Sequence, residues 1–120
     1  MTVTIVKVGR SLIVTVPQDL GDSDALELQE AVNNQIERVD AAGVLLDLSA
    51  LQTVDSFLGR LLSDIAAGAR LLGAETVVAG MQPAVAITLV ELGLALKGVR
   101  TALDADQGLH LLQSGNGRRL

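Results

Sequence analysis

The sequence predicts an α/β fold: a mixed, mostly parallel β-sheet that opens with an N-terminal hairpin and packs against about four α-helices. Three features of the chain lead there. After two short β-branched segments, strand-like and helix-like segments alternate to the end, as strand–helix–strand crossovers require. Two strand segments, "GVLLDLS" from Gly43 and "ETVVAG" from Glu75, are almost continuously apolar, which suits strands covered on both faces. The intervening segments repeat their apolar residues at helical spacing.

"TVTIVKV" and "SLIVTV" place Val3, Ile5, Leu12, Val14 and Val16 on alternating positions, with Gly9-Arg10 between them as a tight turn. That pattern is a β-hairpin, and Pro17 stops its second strand. Asp22 and Ser23 offer capping side chains for a helix over Ala25 to Val39, whose stripe is Leu28, Ala31, Val32, Ile36 and Val39. After the strand at Gly43, a second helix is expected from Asp55 to Leu72, with Leu58, Leu61, Leu62, Ile65, Ala69 and Leu72 inward and Gly73 as its stop. Pro83 suits the first turn of a third helix ending at Leu92, closed by Gly93. "GVRTAL" reads as the last strand and "DADQGLHLLQ" as a short last helix with Asp104 as its cap. "SGNGRRL" reads as a frayed tail, so the expectation is one domain over 1–113 and a flexible tail over 114–120.

Composition narrows the function. A chain of 120 residues is one domain with a real core. The apolar fraction is 49% and the mean hydropathy is +0.45, which points to apolar surface covered by a partner or a second copy. Phe57 is the only aromatic residue, so base stacking is unavailable. The net charge of −5 has the wrong sign for phosphate neutralisation, and nucleic acid is not an expected partner. With no cysteine, thiolate chemistry and cysteine metal sites are excluded. The longest apolar run, Ala84 to Val90, is far short of the roughly 20 residues of a membrane helix, and the first residues lack signal-peptide features. A cytoplasmic domain without a membrane partner is the expectation.

The chemistry-bearing stretch is "TVDSFLGRLL", residues 53–62, where Asp55 and Ser56 sit between an apolar strand and a helix. In open α/β sheets, functional groups gather beyond the carboxyl ends of the strands. A nucleophilic serine needs a base, and the sole histidine, His110, lies in the last helix with nothing placing it near Ser56. No G-x-S-x-G elbow, Walker-A loop or G-x-G-x-x-G is present, and no acidic group suggests a metal. No catalytic residue, metal or cofactor is expected. Two readings of Asp55-Ser56 stay open. Both residues are good helix caps. A seryl phosphate would also be tolerated at a helix N-terminus, where it would add about −1.5 to −2 charges and repel a docked partner without breaking the fold.

"LLDLSALQTVDSFLGRLL", residues 45–62, resembles the strand, loop and helix that carry the regulatory Ser or Thr of STAS-domain anti-sigma factor antagonists. "LLGAETVVAGMQPAVAITLVELGLALKGVRTALDADQGLHLL", residues 71–112, is similar to the second half of that family's stressosome branch. Phe57 and Leu58 stand where other antagonists often have a second Ser and then Gly, which also favours that branch. The resemblance implies a STAS fold and a non-enzymatic scaffold. It implies that Ser56 is phosphorylated by an RsbT-type serine kinase, which the unphosphorylated chain helps to hold in a large assembly with RsbR-type STAS proteins. Phosphorylation would free the kinase to drive downstream stress signalling such as sigma-factor activation, and a phosphatase would reset the serine. The ATP belongs to the kinase, so no cofactor is implied. By the same resemblance Asp55 positions and caps, while Gln52, Thr53, Phe57 and Arg60 are candidate partner contacts. Self-association, at least to a dimer, is expected within the assembly. Thr88 is a further hydroxyl, expected to be structural. The alternatives are a non-switching STAS module that binds a small ligand or serves as an accessory subunit, and a small hydrolase using Ser56.

Overall fold

The computed structural model describes residues 4–94, 96 and 98–117. Thr2 and Val3 of the expected first strand, and Arg118 to Leu120 of the expected tail, lie outside the described residues. The elements run β1 (Thr4–Val8), β2 (Ser11–Thr15), α1 (Asp22–Val39), β3 (Gly43–Asp47), α2 (Ser56–Leu71), β4 (Glu75–Ala79), α3 (Pro83–Glu91), β5 (Arg100–Ala102) and α4 (Ala105–Gly117).

The five strands lie in chain order in a single sheet; β1 and β2 are antiparallel and β2 to β5 are parallel. Gly9 takes φ +60° and Arg10 does not take a positive φ, so the hairpin turn has its glycine at the first central position, the type II′ arrangement that matches strand twist. Each parallel step is a crossover between neighbours. Right-handed crossovers that always advance in one direction put their helices on one face. Accordingly Leu28, Val32 and Ile36 of α1, Leu62, Ile65 and Ala69 of α2, and Val85 and Leu89 of α3 join one core with Leu12, Val14, Val44, Leu46 and Val78 of the sheet. The last helix, α4, follows the last strand and closes the other face, where Leu112 packs with Leu45, Val77 and Ala79. Thus β3 and β4 are covered on both sides, which is why their sequences are continuously apolar.

Gly43 and Gly108 let α4 come close. A Cβ at Gly108 would clash with Leu45 Cδ1, and one at Gly43 would meet Leu112 Cδ2 at 2.9 Å. Arg100 fastens the same helix: its guanidinium donates to the Leu111 carbonyl at 3.1 Å and pairs with Glu75 at 3.0 Å.

Four expectations are corrected. Helix α1 begins at Asp22, three residues before Ala25, and Gly21 is its N-cap without a side-chain cap bond. Asp22 and Asp24 lie in its first turn instead, where negative charge complements the helix dipole. Leu72 is not on the inward stripe; it is the C-cap of α2 and is half-exposed. Helix α4 runs on through Gly117, four residues past the helix end expected at Gln113, because an established helix propagates through a few poor helix formers. Asp104 caps it as expected, accepting from the Gln107 amide at 2.9 Å.

Candidate functional site

The chain leaves β3 through residues 48–55, a loop pinned to the carboxyl edge of the sheet. Leu48 N–H donates to the Ala79 carbonyl at 2.9 Å, Leu51 is fully buried, and Val54 is nearly so. Polar residues lie between these apolar anchors, and one side chain from the segment after β2 organises them. Gln18 Oε1 accepts from the backbone amides of Gln52 (2.7 Å) and Thr53 (3.3 Å), and Gln18 Nε2 donates to the Thr53 carbonyl (3.2 Å). An amide side chain carries both donors and an acceptor, so it can hold a strand-like backbone from one side. The loop therefore delivers Asp55 to the start of α2 in a fixed position.

The structure divides the roles of Asp55 and Ser56. Asp55 is the N-cap, with φ −105° and ψ 179°, and its Oδ1 accepts from Leu58 N–H at 2.8 Å. Gly59 N–H to the Asp55 carbonyl, 2.9 Å, begins the helical ladder. Ser56 is the first helical residue; it is exposed, and its hydroxyl makes no hydrogen bond among the described residues. The backbone amides of Ser56 and Phe57 belong to the first turn and have no intrahelical acceptor. Free amides, the positive end of the helix dipole and an unengaged hydroxyl coincide at one surface point.

Around that point, Gln52, Thr53 and Arg60 are exposed, and Phe57 is 44% exposed. Arg60 stands one helical turn after Ser56, on the same face. Phe57, Leu20, Gln18 and Thr53 line a cavity of about 220 Å³ beside Asp55. The structure thus gathers Gln52, Thr53, Asp55, Ser56, Phe57 and Arg60 at one end of α2. Sequence reasoning missed Gln18, which follows Pro17 in a segment without periodicity and contacts residues 34 and 35 positions away.

Other candidates fall elsewhere. His110 is exposed on α4, which covers the opposite face of the sheet from α2, so it cannot serve Ser56 as a base. Thr88 Oγ1 donates to the Ala84 carbonyl at 2.9 Å within α3. No group of acidic or histidine residues among the described residues could hold a metal ion, and no helix of the described residues is long and apolar enough to cross a membrane.

A hairpin leading into a parallel sheet, three helices on one face and a closing helix on the other define a STAS-type domain. The chain belongs to the STAS-domain family, whose sequence pattern matches residues 2–106. Its whole fold is similar to RsbS from Moorella thermoacetica, solved as a serine-to-glutamate variant: 38% identity, 98% of this chain and 99% of that one, TM-score 0.87. A chain from a structure of the stressosome, described as a signal integration and transduction hub, is 40% identical over 98% of this chain and 100% of its own, with TM-score 0.84. Among curated proteins, the RsbT co-antagonist protein RsbRD of Bacillus subtilis (strain 168) is 31% identical over 77 residues, which are 64% of this chain and 28% of that protein. The chain spans about a third of the length of the curated relatives it matches.

Proposed function

We propose that this chain is a regulatory scaffold subunit of a stressosome-type assembly, built with RsbR-type STAS proteins, that holds an RsbT-type serine kinase and releases it when Ser56 is phosphorylated. The observation behind this reading is the division of labour at α2: Asp55 does the capping and leaves the Ser56 hydroxyl exposed and unengaged. The likeness to RsbS and to a stressosome chain over nearly the full length supports the assembly. The RsbT co-antagonist name of shorter-matching relatives supports the kinase partner.

In the transfer, Ser56 Oγ attacks the γ-phosphorus of the ATP held by the kinase. The new O–P bond forms as the bond to the ADP oxygen breaks, and the seryl proton leaves to a base of the kinase. The product dianion meets the free amides of Ser56 and Phe57 and the guanidinium of Arg60 within one turn. The Asp55 carboxylate opposes it. A kinase surface fitted to the neutral hydroxyl, to Phe57 and to the exposed Gln52 and Thr53 then faces a strongly hydrated anion, and the contact weakens.

The test is intact mass after incubation with an RsbT-type kinase and Mg-ATP. Wild type should gain a single phosphoryl group and Ser56→Ala none, and Ser56→Ala should keep the kinase bound in the presence of ATP. No gain on wild type, with a kinase active on another substrate, removes the switch. A non-switching, ligand-binding module is then the next reading; it is favoured by a second cavity of about 620 Å³ between α2 and Leu96, Gly98 and Val99.

A further inference from the structure

The proposed switch uses only the N-terminal end of α2. Beside the other end lies the cavity of about 620 Å³, a volume within the usual range of small-molecule sites. Ala66 and Leu71 of α2, with Leu96 and Val99 before β5, give it apolar walls. Arg70, in the last turn of α2, also lines it. Its guanidinium lies against Gly98: a Cβ there would collide with it, so a glycine, at φ +73°, is what leaves the room.

The sheet supplies Thr76. Val77 and Ala79 face α4, so the alternation of a strand turns Thr76 and Val78 to the α2 side. Thr76 is only 4% exposed, and its Oγ1 has no hydrogen-bond partner among the described residues. A buried hydroxyl left without a partner is costly, and most are satisfied by protein, water or ligand. The carboxylate of Glu75 belongs to the other side: Arg100, which also holds α4, pairs with it at 3.0 Å.

We propose that this cavity is a binding site for a small organic acid, a free monocarboxylate on an apolar body. The donors select the head group. An arginine fork has five N–H groups and no acceptor, so it can serve a ligand together with other contacts, and the Thr76 hydroxyl has a proton to give. A carboxylate is acceptor-only, and it matches one guanidinium in charge and, bidentately, in shape. A phosphate dianion would leave excess charge beside a strand that also carries Glu75. An alcohol of the same body lacks the charge, and an amine has the wrong sign. The apolar body covers Ala66, Leu96, Val99 and Leu71, which is 87% exposed without it. The site makes no use of Ser56, which lies roughly 20 Å along α2 from Arg70, so it stands or falls independently of the phosphorylation switch.

The test is an amide NMR titration of the full chain with octanoate, and with octanol and octylamine as molecules of matched body. Octanoate should shift the amides of Ala66, Arg70, Thr76 and Val99 saturably. Octanol should bind at least tenfold more weakly and octylamine not at all, as the loss of a charge-assisted pair implies. Arg70→Gln should weaken octanoate at least tenfold. Thr76→Val keeps the shape and removes the hydroxyl; it should weaken octanoate at least threefold without lowering the melting temperature, since it takes away an unpaired group. Ala66→Leu fills the cavity with a good helix former and should abolish the shifts while the spectrum stays that of a folded chain. Equal affinity for octanoate and octanol, or unchanged octanoate affinity in either Arg70→Gln or Thr76→Val, means adventitious apolar binding only and overturns the proposal. So does a wild-type spectrum that millimolar octanoate leaves unmoved.

Discussion

The assignment of Asp55 as the cap and Ser56 as the free hydroxyl makes opposite demands on two neighbouring substitutions. Asp55→Ala removes the carboxylate that accepts from Leu58 N–H at 2.8 Å. That amide sits in part-buried surroundings, so losing its acceptor leaves a donor poorly satisfied. Loss of an N-cap costs about 1 kcal/mol, within a range of roughly 0.5–2. Leu58 is buried directly beneath the cap, and fraying there would expose part of the core. The upper half of the range, about 1–2 kcal/mol, is therefore expected for Asp55→Ala. Ser56→Ala removes an exposed hydroxyl without a partner, and should fall within about ±0.5 kcal/mol. With a urea slope of about 1–3 kcal/mol/M, Asp55→Ala should lower the unfolding midpoint by roughly 0.5–1 M, while Ser56→Ala barely moves it. Asp55→Asn, which caps as well as Asp, should recover most of the loss. Should Ser56→Ala cost as much as Asp55→Ala, the hydroxyl would be part of the cap and the division of roles would be wrong.

Three other outcomes follow from named contacts. Gly108→Ala gains helix propensity of about 1 kcal/mol but drives a Cβ against the fully buried Leu45, an overpacking cost of about 1–3 kcal/mol, so a lowered melting temperature is expected in calorimetry. Gln18→Ala removes the three bonds that hold residues 52–53, and faster hydrogen exchange at the Gln52 and Thr53 amides should accompany a global loss of about 1 kcal/mol or less. Arg60→Ala should leave the unmodified chain unchanged but lower the stability of the Ser56-phosphorylated chain by about 0.3–0.5 kcal/mol relative to phosphorylated wild type, as an i, i+4 pair would; identical values in urea unfolding would remove Arg60 from the phosphate's surroundings.

The element order was legible in the sequence because each signal was local and mutually consistent. "GVLLDLS" and "ETVVAG" announced strands covered on both faces, and the structure covers them with α1, α2 and α3 on one side and α4 on the other. The start of α1 was less legible. Asp22 and Ser23 are good caps in isolation, yet Gly21 already adopts the extended conformation of an N-cap, and the helix absorbs both residues. The tail misled for a related reason: Ser114 to Gly117 are poor helix formers, but they extend a helix already docked through Leu112. At the site, residue types alone could not decide between Asp55 and Ser56, since either side chain caps well. One backbone position settles it, because only Asp55 has the extended conformation that turns its oxygen back on Leu58. Gln18 was invisible because its contribution depends on a contact across 34 residues, which no local pattern encodes.

The placement of Ser56 also constrains how any modification there could act. The buried side of α2, formed by Leu58, Leu61, Leu62, Ile65 and Ala69, is close-packed on the sheet and on α1. A phosphate on an exposed first-turn oxygen touches none of these side chains, and the helix dipole and free amides favour its charge. The fold therefore offers no packed element for the phosphate to displace. Under the proposed switch, its effect would be felt at the surface, by a partner seated on Gln52, Thr53, Phe57 and Arg60. For a partner seated there, each 1.4 kcal/mol of lost contact is about a tenfold change in affinity. A partner that buried the dianion would also have to strip its hydration, a cost that Arg60 and the free amides offset only in part. A rigid domain with a chargeable hydroxyl at its rim can thus control binding without changing shape, and the Gln18 bonds that fix residues 52–53 help to keep that rim in register.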